Sequence, residues 1–319
     1  MAVNLIVSTK EYLTVNILIA GGSGLIGQEL IKGLAEEHHF TVLGRNKESL
    51  RQIFNQSIST VDWDELNSLD ATMFDVVINL CGMNIAKSRW TAKVKEEIIS
   101  SRVQTTERLV KWIVKQEARP HIYCANAVGI YGLQEENSTV DLIEETVIDF
   151  NHPKDFLSEI CIRWQEPLKE AVEAGVPVTT TRFGVVLKKK KGFLGKLYPS
   201  FICGLGSVIG DGSQYLSWID SVDLVNAYRF LLNHPELTGP VNITAPVPCM
   251  QKEFAQAYAR FLHRPLLLKT PACVIRWLFG EMGESLINKG QRVVPKRLLE
   301  AGFQFEKPTI WDAFNLKKN

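Results

Sequence analysis

The segment Val15-Asn16-Ile17-Leu18-Ile19-Ala20-Gly21-Gly22-Ser23-Gly24-Leu25-Ile26-Gly27 has the residue types and spacing of an anion cradle. An apolar, β-branched run leads into glycines at Gly21, Gly24 and Gly27. A helical pattern, Gln28-Glu29-Leu30-Ile31-Lys32-Gly33-Leu34, follows directly. That order predicts a strand, a tight turn and a helix N-terminus. In such a turn the first glycine permits the sharp reversal and the second lets a diphosphate approach the backbone. The third lets helix and strand pack closely. Free N–H groups and the helix dipole then face the anion. Glycine-rich turns alone are common; the flanking strand and helix make this one a dinucleotide-binding pattern.

A second apolar run, Phe40-Thr41-Val42-Leu43-Gly44, narrows the ligand, because it ends in Arg45. About 20 residues past the glycine turn, NAD-specific folds carry Asp or Glu for the ribose 2′-hydroxyl. No acid stands there. Arg45 offers a planar, permanently charged fork suited to a phosphate, and Lys47 can add positive charge. The cofactor is therefore read as NADP(H) and not NAD(H), the alternative being a solvated basic loop.

Residues able to move a proton are sparse. Tyr131 could donate one from the loop after a strand, or could simply pack in a Tyr-Gly turn. Asp220 and Asp223 flank a loop on the expected substrate side, where they read equally as an acid–base pair or as a helix cap and a salt-bridge partner. The 6 histidines form no nucleophile or metal constellation. Lys188-Lys189-Lys190-Lys191 is a solvated loop or a contact to an anionic substrate. The 6 cysteines are scattered without a Cys-x-x-Cys pair, and most sit in apolar runs, as expected of buried thiols in a reducing compartment. No metal site is expected.

Charges nearly balance, 36 Lys and Arg against 35 Asp and Glu, so nothing suggests a nucleic-acid binder. No signal-like stretch and no apolar run approaching the roughly 20 residues of a membrane span is visible, and a cytoplasmic protein is expected. Residues 1–14 read as an extension or an edge strand.

These residues need a scaffold. Strands and helices alternate through the first half, which favours an α/β fold, a doubly wound parallel sheet with helices on both faces. Lys47–Phe54 reads as a short helix, Asp75–Leu80 as a buried strand, Thr91–Lys115 as a long helix and His121–Ala125 as a strand. Asp155–Ala174 is again helical, and Val176–Leu187 holds a further strand. Beyond 187, repeated glycines suggest a loop-rich cover over a site. Gly239–Thr244 reads as a strand rejoining the sheet, with helices over Phe254–Leu262 and Pro271–Lys289. The expected division is a Rossmann-type domain over 15–187 that also takes the strand near 240–245. A smaller substrate-side and C-terminal helical region would hold 188–239 and 246–316. Strand ends carrying Gly21–Gly27, Arg45, Leu80-Cys81-Gly82, Asn126-Ala127 and Gly184-Val185-Val186 converge where such sheets bind ligands.

With these residues in view, the chain resembles the extended short-chain dehydrogenase/reductases. It is most similar to an atypical subgroup labelled epimerase-family proteins or nucleoside-diphosphate-sugar epimerases. The matching segments are Gly21–Gly27, Asn79-Leu80-Cys81-Gly82-Met83-Asn84-Ile85, Arg89-Trp90-Thr91, Ser101-Arg102 and Ala127–Gly132. Arg182–Leu187, Ser217-Trp218-Ile219 and Gly290–Leu299 through Ala301-Gly302-Phe303 follow, so the match spans nearly the whole chain. The resemblance implies a Rossmann-type sheet, with a smaller C-terminal substrate-side domain, that binds NADP(H). Gly21, Ser23, Gly24, Leu25, Ile26 and Gly27 would lie under the diphosphate, and Gly44 and Arg45 at the 2′-phosphate. Leu80, Cys81 and Gly82 would line the adenosine side, and Arg102 would project towards the cofactor, the alternative being a surface salt bridge. Glu97 is a further candidate on the same helix, and Val186 would fall at the nicotinamide end. Extended relatives also dimerise through two long helices, here Thr91–Lys115 and Asp155–Ala174, so a homodimer is a candidate assembly.

One departure stands out. Active relatives use Ser or Thr, then Tyr-x-x-x-Lys, to exchange a proton while hydride moves. The aligned places hold Leu157 and Cys161, and Asn126 stands where Ser is expected. Catalytic residues are thus unknown, with Tyr131 and Asn126 as candidates. Two functions remain. One is an NADP(H)-binding, epimerase- or reductase-like enzyme acting on an unidentified small molecule, a nucleotide sugar being what the resemblance suggests. The other is a catalytically inactive protein that holds or senses NADP(H). A bare structural scaffold would leave Arg45 and the glycine turn unexplained.

Overall fold

A computed structural model of the chain describes residues 14–54, 57–135 and 138–317. The reading of 1–14 as an extension or edge strand lies outside these residues save for Thr14. The first half alternates β1 (Asn16–Ala20), α1 (Leu25–Leu34), β2 (His39–Gly44), α2 (Lys47–Ile53), β3 (Ser59–Asp62) and β4 (Val76–Asn79). Then come α3 (Ala92–Lys115), β5 (His121–Ala127), α4 (Phe156–Gln165), α5 (Leu168–Glu173) and β6 (Val178–Phe183). The second half holds β7 (Val185–Lys188), α6 (Gly192–Ile202), β8 (Ser207–Ile209), β9 (Tyr215–Leu216), β10 (Trp218–Asp220), α7 (Ser221–Leu232) and β11 (Gly239–Ile243). It closes with β12 (Cys249–Met250), α8 (Gln251–Phe261), β13 (Leu268–Thr270), α9 (Ala272–Gly283), α10 (Lys296–Glu300) and α11 (Ile310–Ala313).

Seven strands form one parallel sheet in the order β11-β6-β5-β4-β1-β2-β3, a Rossmann-like α/β fold. Ile17, Leu18, Ile19 and Ala20 are fully buried, as a strand covered on both faces must be, which is why β1 reads as an unbroken apolar run. The chain runs outward from β1 through β2 to β3, then crosses back to β4 on the other side of β1. The crevice beyond β1 and β4 is the topological switch point, where ligands of such sheets bind.

Several elements differ from the sequence expectation. The helix expected over Asp155–Ala174 is two helices, because Pro167 lacks an N–H and opens α5. Asp155 caps α4 through a reciprocal pair, its carboxylate accepting from Ser158 N at 2.9 Å and Ser158 Oγ accepting from Asp155 N at 3.0 Å. The loop expected after residue 187 contains α6. Its glycines serve close packing: a Cβ on Gly195 would stand 2.8 Å from Lys190 O. Leu194 and Phe201 anchor this helix in a second core with Trp218, Phe254 and Tyr258.

The 188–239 segment, expected on the substrate side, is divided. Its helix α7 lies against α1, where a Cβ on Gly33 would meet Val225 Cγ1 at 2.5 Å and Arg229 donates to Gly33 O and the Glu37 carboxylate. Farther along, α9 seats on the N-terminal ends of α3 and α4, with Met282 packed among Trp90, Ile98, Phe156 and Ile160. Arg89 reinforces it by donating to Trp277 O at 2.7 Å. No described helix is long and apolar enough to cross a membrane.

His121, at the start of β5, is buried, stacked on Tyr123 and bonded through Nε2 to Thr179 Oγ1 at 2.8 Å. Burial holds its pKa down at about 4 against an ordinary 6.5. The folded state therefore resists protonation that the unfolded chain accepts. Stability is complete above pH 6.5 and is lost as pH falls towards 4, by at most about 3 kcal/mol. Urea unfolding at stepped pH should show this slope in wild type and a flatter one in His121→Gln; equal slopes would remove His121 as its source.

Candidate functional site

Gly21 ends β1 with φ +79°, and a Cβ there would stand 2.9 Å from the Leu80 carbonyl carbon. Only glycine suits both the backbone angle and the contact. Its N–H donates to Leu43 O at 3.1 Å, and Gly24 N donates to Gly21 O at 3.1 Å, closing the turn. A Cβ on Gly27 would lie 2.5 Å from Gly22 Cα, so helix and turn touch there. Helix α1 has no acidic residue in its first turn and no side-chain cap, and exposed Ser23 and Gly24 lead into it. Its leading N–H groups, from Leu25 onward, have no partner within the helix. The turn fits an anionic group.

The end of β2 lies beside the turn. Gly44 is pressed against Leu50, leaving 3.0 Å for a Cβ, and Arg45 follows, exposed. Among the described residues the Arg45 guanidinium has no hydrogen bond or ion pair. Lys47, expected to add charge for a ligand, is instead engaged with Glu65 at 2.5 Å. The end of β4 closes on the turn: a Cβ on Gly21 would stand 3.0 Å from Cys81 N, whose N–H donates to Asn79 Oδ1 at 3.1 Å. Burial pushes the Cys81 thiol up to about 12, and Arg45 is near enough to pull the other way. Gly21–Gly27, Gly44-Arg45 and Leu80-Cys81-Gly82 are thus brought to one edge of the sheet.

Arg102 is a buried cation without an acid. It is 8% exposed, donates from Nη1 to Ile98 O at 2.8 Å and from Nη2 to Met83 O at 3.0 Å, and stacks 4.8 Å from the Trp164 ring. Its Nε has no partner. A Cβ on Gly82 would meet its Cζ at 2.9 Å, which accounts for that glycine. Burial draws its pKa down to about 10, so it stays charged at neutral pH. The surface salt bridge considered for it does not exist among the described residues. Glu97 is not brought to the site: its half-exposed carboxylate faces Lys93 at 4.0 Å.

Beyond β5 and β6 lies a cavity of about 260 Å³. Arg102, Leu157, Cys161 and Trp164 wall one side, Gly184 and Val185 another, and Lys289 and Gln291 of the tail a third. Val186, expected at the nicotinamide end, packs against the sheet core, and its neighbour Val185 lines the cavity. The places of the missing dyad do face the cavity. Leu157 carries no proton, and burial pushes the Cys161 thiol up to about 12 while its Sγ leans on Ala127 O at 3.6 Å.

The alternative proton donors are also engaged. Asn126 is 2% exposed and clamps β5 to α4, donating to Cys161 O at 3.1 Å and Gln165 Oε1 at 3.3 Å, while its Oδ1 accepts from Ala127 N. Tyr131 is 3% exposed; its hydroxyl donates to Asn242 Oδ1 and accepts from Arg182 Nη1, both at 2.8 Å. Burial raises its pKa further. Asp220 caps α7 through Val222 N, and Asp223 accepts from Glu306 N and Lys307 N, so both are structural. Lys188 pairs with Glu29 at 2.6 Å, closer to a strut than a ligand contact. No metal-binding group of His, Cys, Asp or Glu occurs among the described residues.

Trp164, Lys289 and Gln291 were missed in the sequence. A usable signal was Gly290: a Cβ there would fall 1.8 Å from Tyr215 O, so the tail crosses the cavity rim with no clearance.

With this geometry established, comparison with known proteins is informative. The model of the NAD dependent epimerase/dehydratase family matches residues 17–244, and that of a domain of unknown function, DUF1731, matches 270–315. An epimerase family protein of Mycobacterium bovis is 36% identical over 305 residues, covering 93% of this chain and 95% of its own. Epimerase family protein YfhF of Bacillus subtilis is 35% identical over 295 residues, covering 91% and 93%. The crystal structure of human epimerase family protein SDR39U1 with NADPH has a TM-score of 0.82 at 28% identity, covering 94% of this chain and 97% of that one.

Replacing Gly21 by Ala should cost about 1–3 kcal/mol in urea unfolding, from strain at positive φ plus the Leu80 clash. Gly210→Ala, at φ +61° with nothing within 4 Å, is the control for φ alone. Equal losses in the two variants would refute the close approach at Leu80.

Proposed function

Because the chain belongs to the NAD dependent epimerase/dehydratase family, we propose that it binds NADP(H) and acts through it on a small molecule. The observation that carries this reading is the unpaired Arg45 beside a glycine turn built for a diphosphate. A permanently charged fork at the end of β2 suits a 2′-phosphate and offers nothing to a 2′-hydroxyl that an acid would not offer better. SDR39U1, with NADPH in its crystal, agrees with that preference. Gly21–Gly27 would bind the diphosphate through backbone N–H groups, and Leu80, Cys81 and Gly82 would line the adenosine side. Arg102 would set its unopposed charge towards an anionic group.

When bound, NADP(H) would supply or accept a hydride. The side chains at the expected proton-transfer places are poorly suited to that work: Leu157 and Asn126 do not titrate, and burial pushes the Cys161 thiol and the Tyr131 phenol up. Charge developing on a substrate oxygen would instead be stabilised by N–H donors, with the proton exchanged through water. The same observation favours a second reading, a protein that binds NADP(H) without turning it over. A substrate screen at the nicotinamide absorbance separates the two, since only the enzyme changes it.

Calorimetric titration should show tight binding of NADPH and much weaker binding of NADH. Arg45→Asp should weaken NADPH by roughly ten- to hundredfold, through loss of a charged contact and added repulsion, and leave NADH little changed. Equal NADPH affinity in the two proteins would remove Arg45 from the site.

A further inference from the structure

The 260 Å³ cavity has one-sided chemistry. Three buried N–H groups on its lining side chains, Arg102 Nε, Trp164 Nε1 and Gln291 Nε2, have no hydrogen-bond partner. Folded proteins leave only a few such groups per 100 residues. Three such side chains on one cavity give its wall spare donors, held just beneath the surface. Lys289 adds a second cation at the rim, 43% exposed and only loosely held by Glu284 at 3.8 Å. Among the described residues no Asp or Glu lines the cavity, and most of the remaining wall is apolar, with Ile85, Ile160, Phe183 and Leu286 in it.

A sugar is a poor match for such a lining. Every sugar hydroxyl carries a proton that needs an acceptor, and carboxylates are the usual ones. The hydroxyl of Ser217 is already committed, donating to Gln291 O at 2.8 Å and accepting from Val293 N at 2.9 Å. Tyr215 accepts from Arg292 at 3.1 Å. The volume also lies below the roughly 300–1,000 Å³ of most ligand sites.

Resting on the NADP(H) reading above, we propose that the second ligand of this site is a compact, apolar-bodied carboxylate and not a nucleotide sugar. Its carboxylate meets the Gln291 amide and the Lys289 ammonium, and its apolar body lies against Leu286 and Ile160. Gln291 thereby gives the tail region a part in choosing the substrate.

The test uses the full-length protein with phenylacetate, its neutral methyl ester and UDP-glucose as probes, read by saturation-transfer NMR with and without NADP⁺. The expected result is phenylacetate binding at least about tenfold tighter than the ester, as for a charge-assisted contact, with no signal from UDP-glucose. Gln291→Glu should abolish the acid's advantage while leaving the ester unchanged, and Lys289→Met should weaken the acid about fivefold. Equal acid and ester binding, binding of UDP-glucose alone, or binding of no probe would overturn the proposal. A parallel NADPH titration of each preparation reports folding and decides the cofactor reading separately.

Discussion

A parallel sheet cannot return on itself without a crossover, and this one reverses between β1 and β4. The rest of the molecule follows from that reversal. Two neighbouring strands send their chains to opposite faces, so a crevice opens beyond their carboxyl ends. The glycine turn can occupy it only because Gly21 fits against Leu80 without a side chain. The same opening receives Arg45 from β2, Cys81 from β4 and the guanidinium of Arg102 from α3. The anion site is a product of topology first and residue choice second.

Arg102 states the energetic consequence. A guanidinium removed from water is tolerated when its N–H groups are paired and its charge is met. Two of its nitrogens reach carbonyls, the Trp164 ring takes one face, and no carboxylate answers it. Positive charge is thus stored beside Leu157 and Cys161, on the same wall of the cavity. With Leu157 and Cys161 in the aligned Tyr and Lys places, the charged and amide side chains on the lining are Arg102 on the same wall and Lys289 and Gln291 of the tail.

The legible parts of the sequence were those set by local rules. Period-two or unbroken apolar runs located β1, β2, β4 and β5, and the glycine spacing located the turn, because each depends on near neighbours. Arg45 was readable for the same reason: its meaning comes from its distance along the chain to that turn. Helix α6 was not readable, since Gly192 and Gly195 look like loop residues until the Lys188–Lys191 hairpin is seen packing against them. Tyr131 looked available because burial by Arg182 and Asn242, 51 and 111 residues away in sequence, leaves no local trace. Gln291 was hidden in the same way, its place by the cavity set by long-range packing.

Gly290 passes over Tyr215 so closely that no side chain could be accommodated between them. Asp223 meanwhile holds Glu306 and Lys307 by their backbones. The tail is therefore seated at two separate places, against the backbone at Tyr215 and on the side chain of Asp223. For lineages that diversify by recombination, this makes the C-terminal region a poor module. A hybrid inheriting its tail from one parent must find an acid at the place of Asp223 and a strand backbone at the height of Tyr215 in the other, so tail and scaffold descend together.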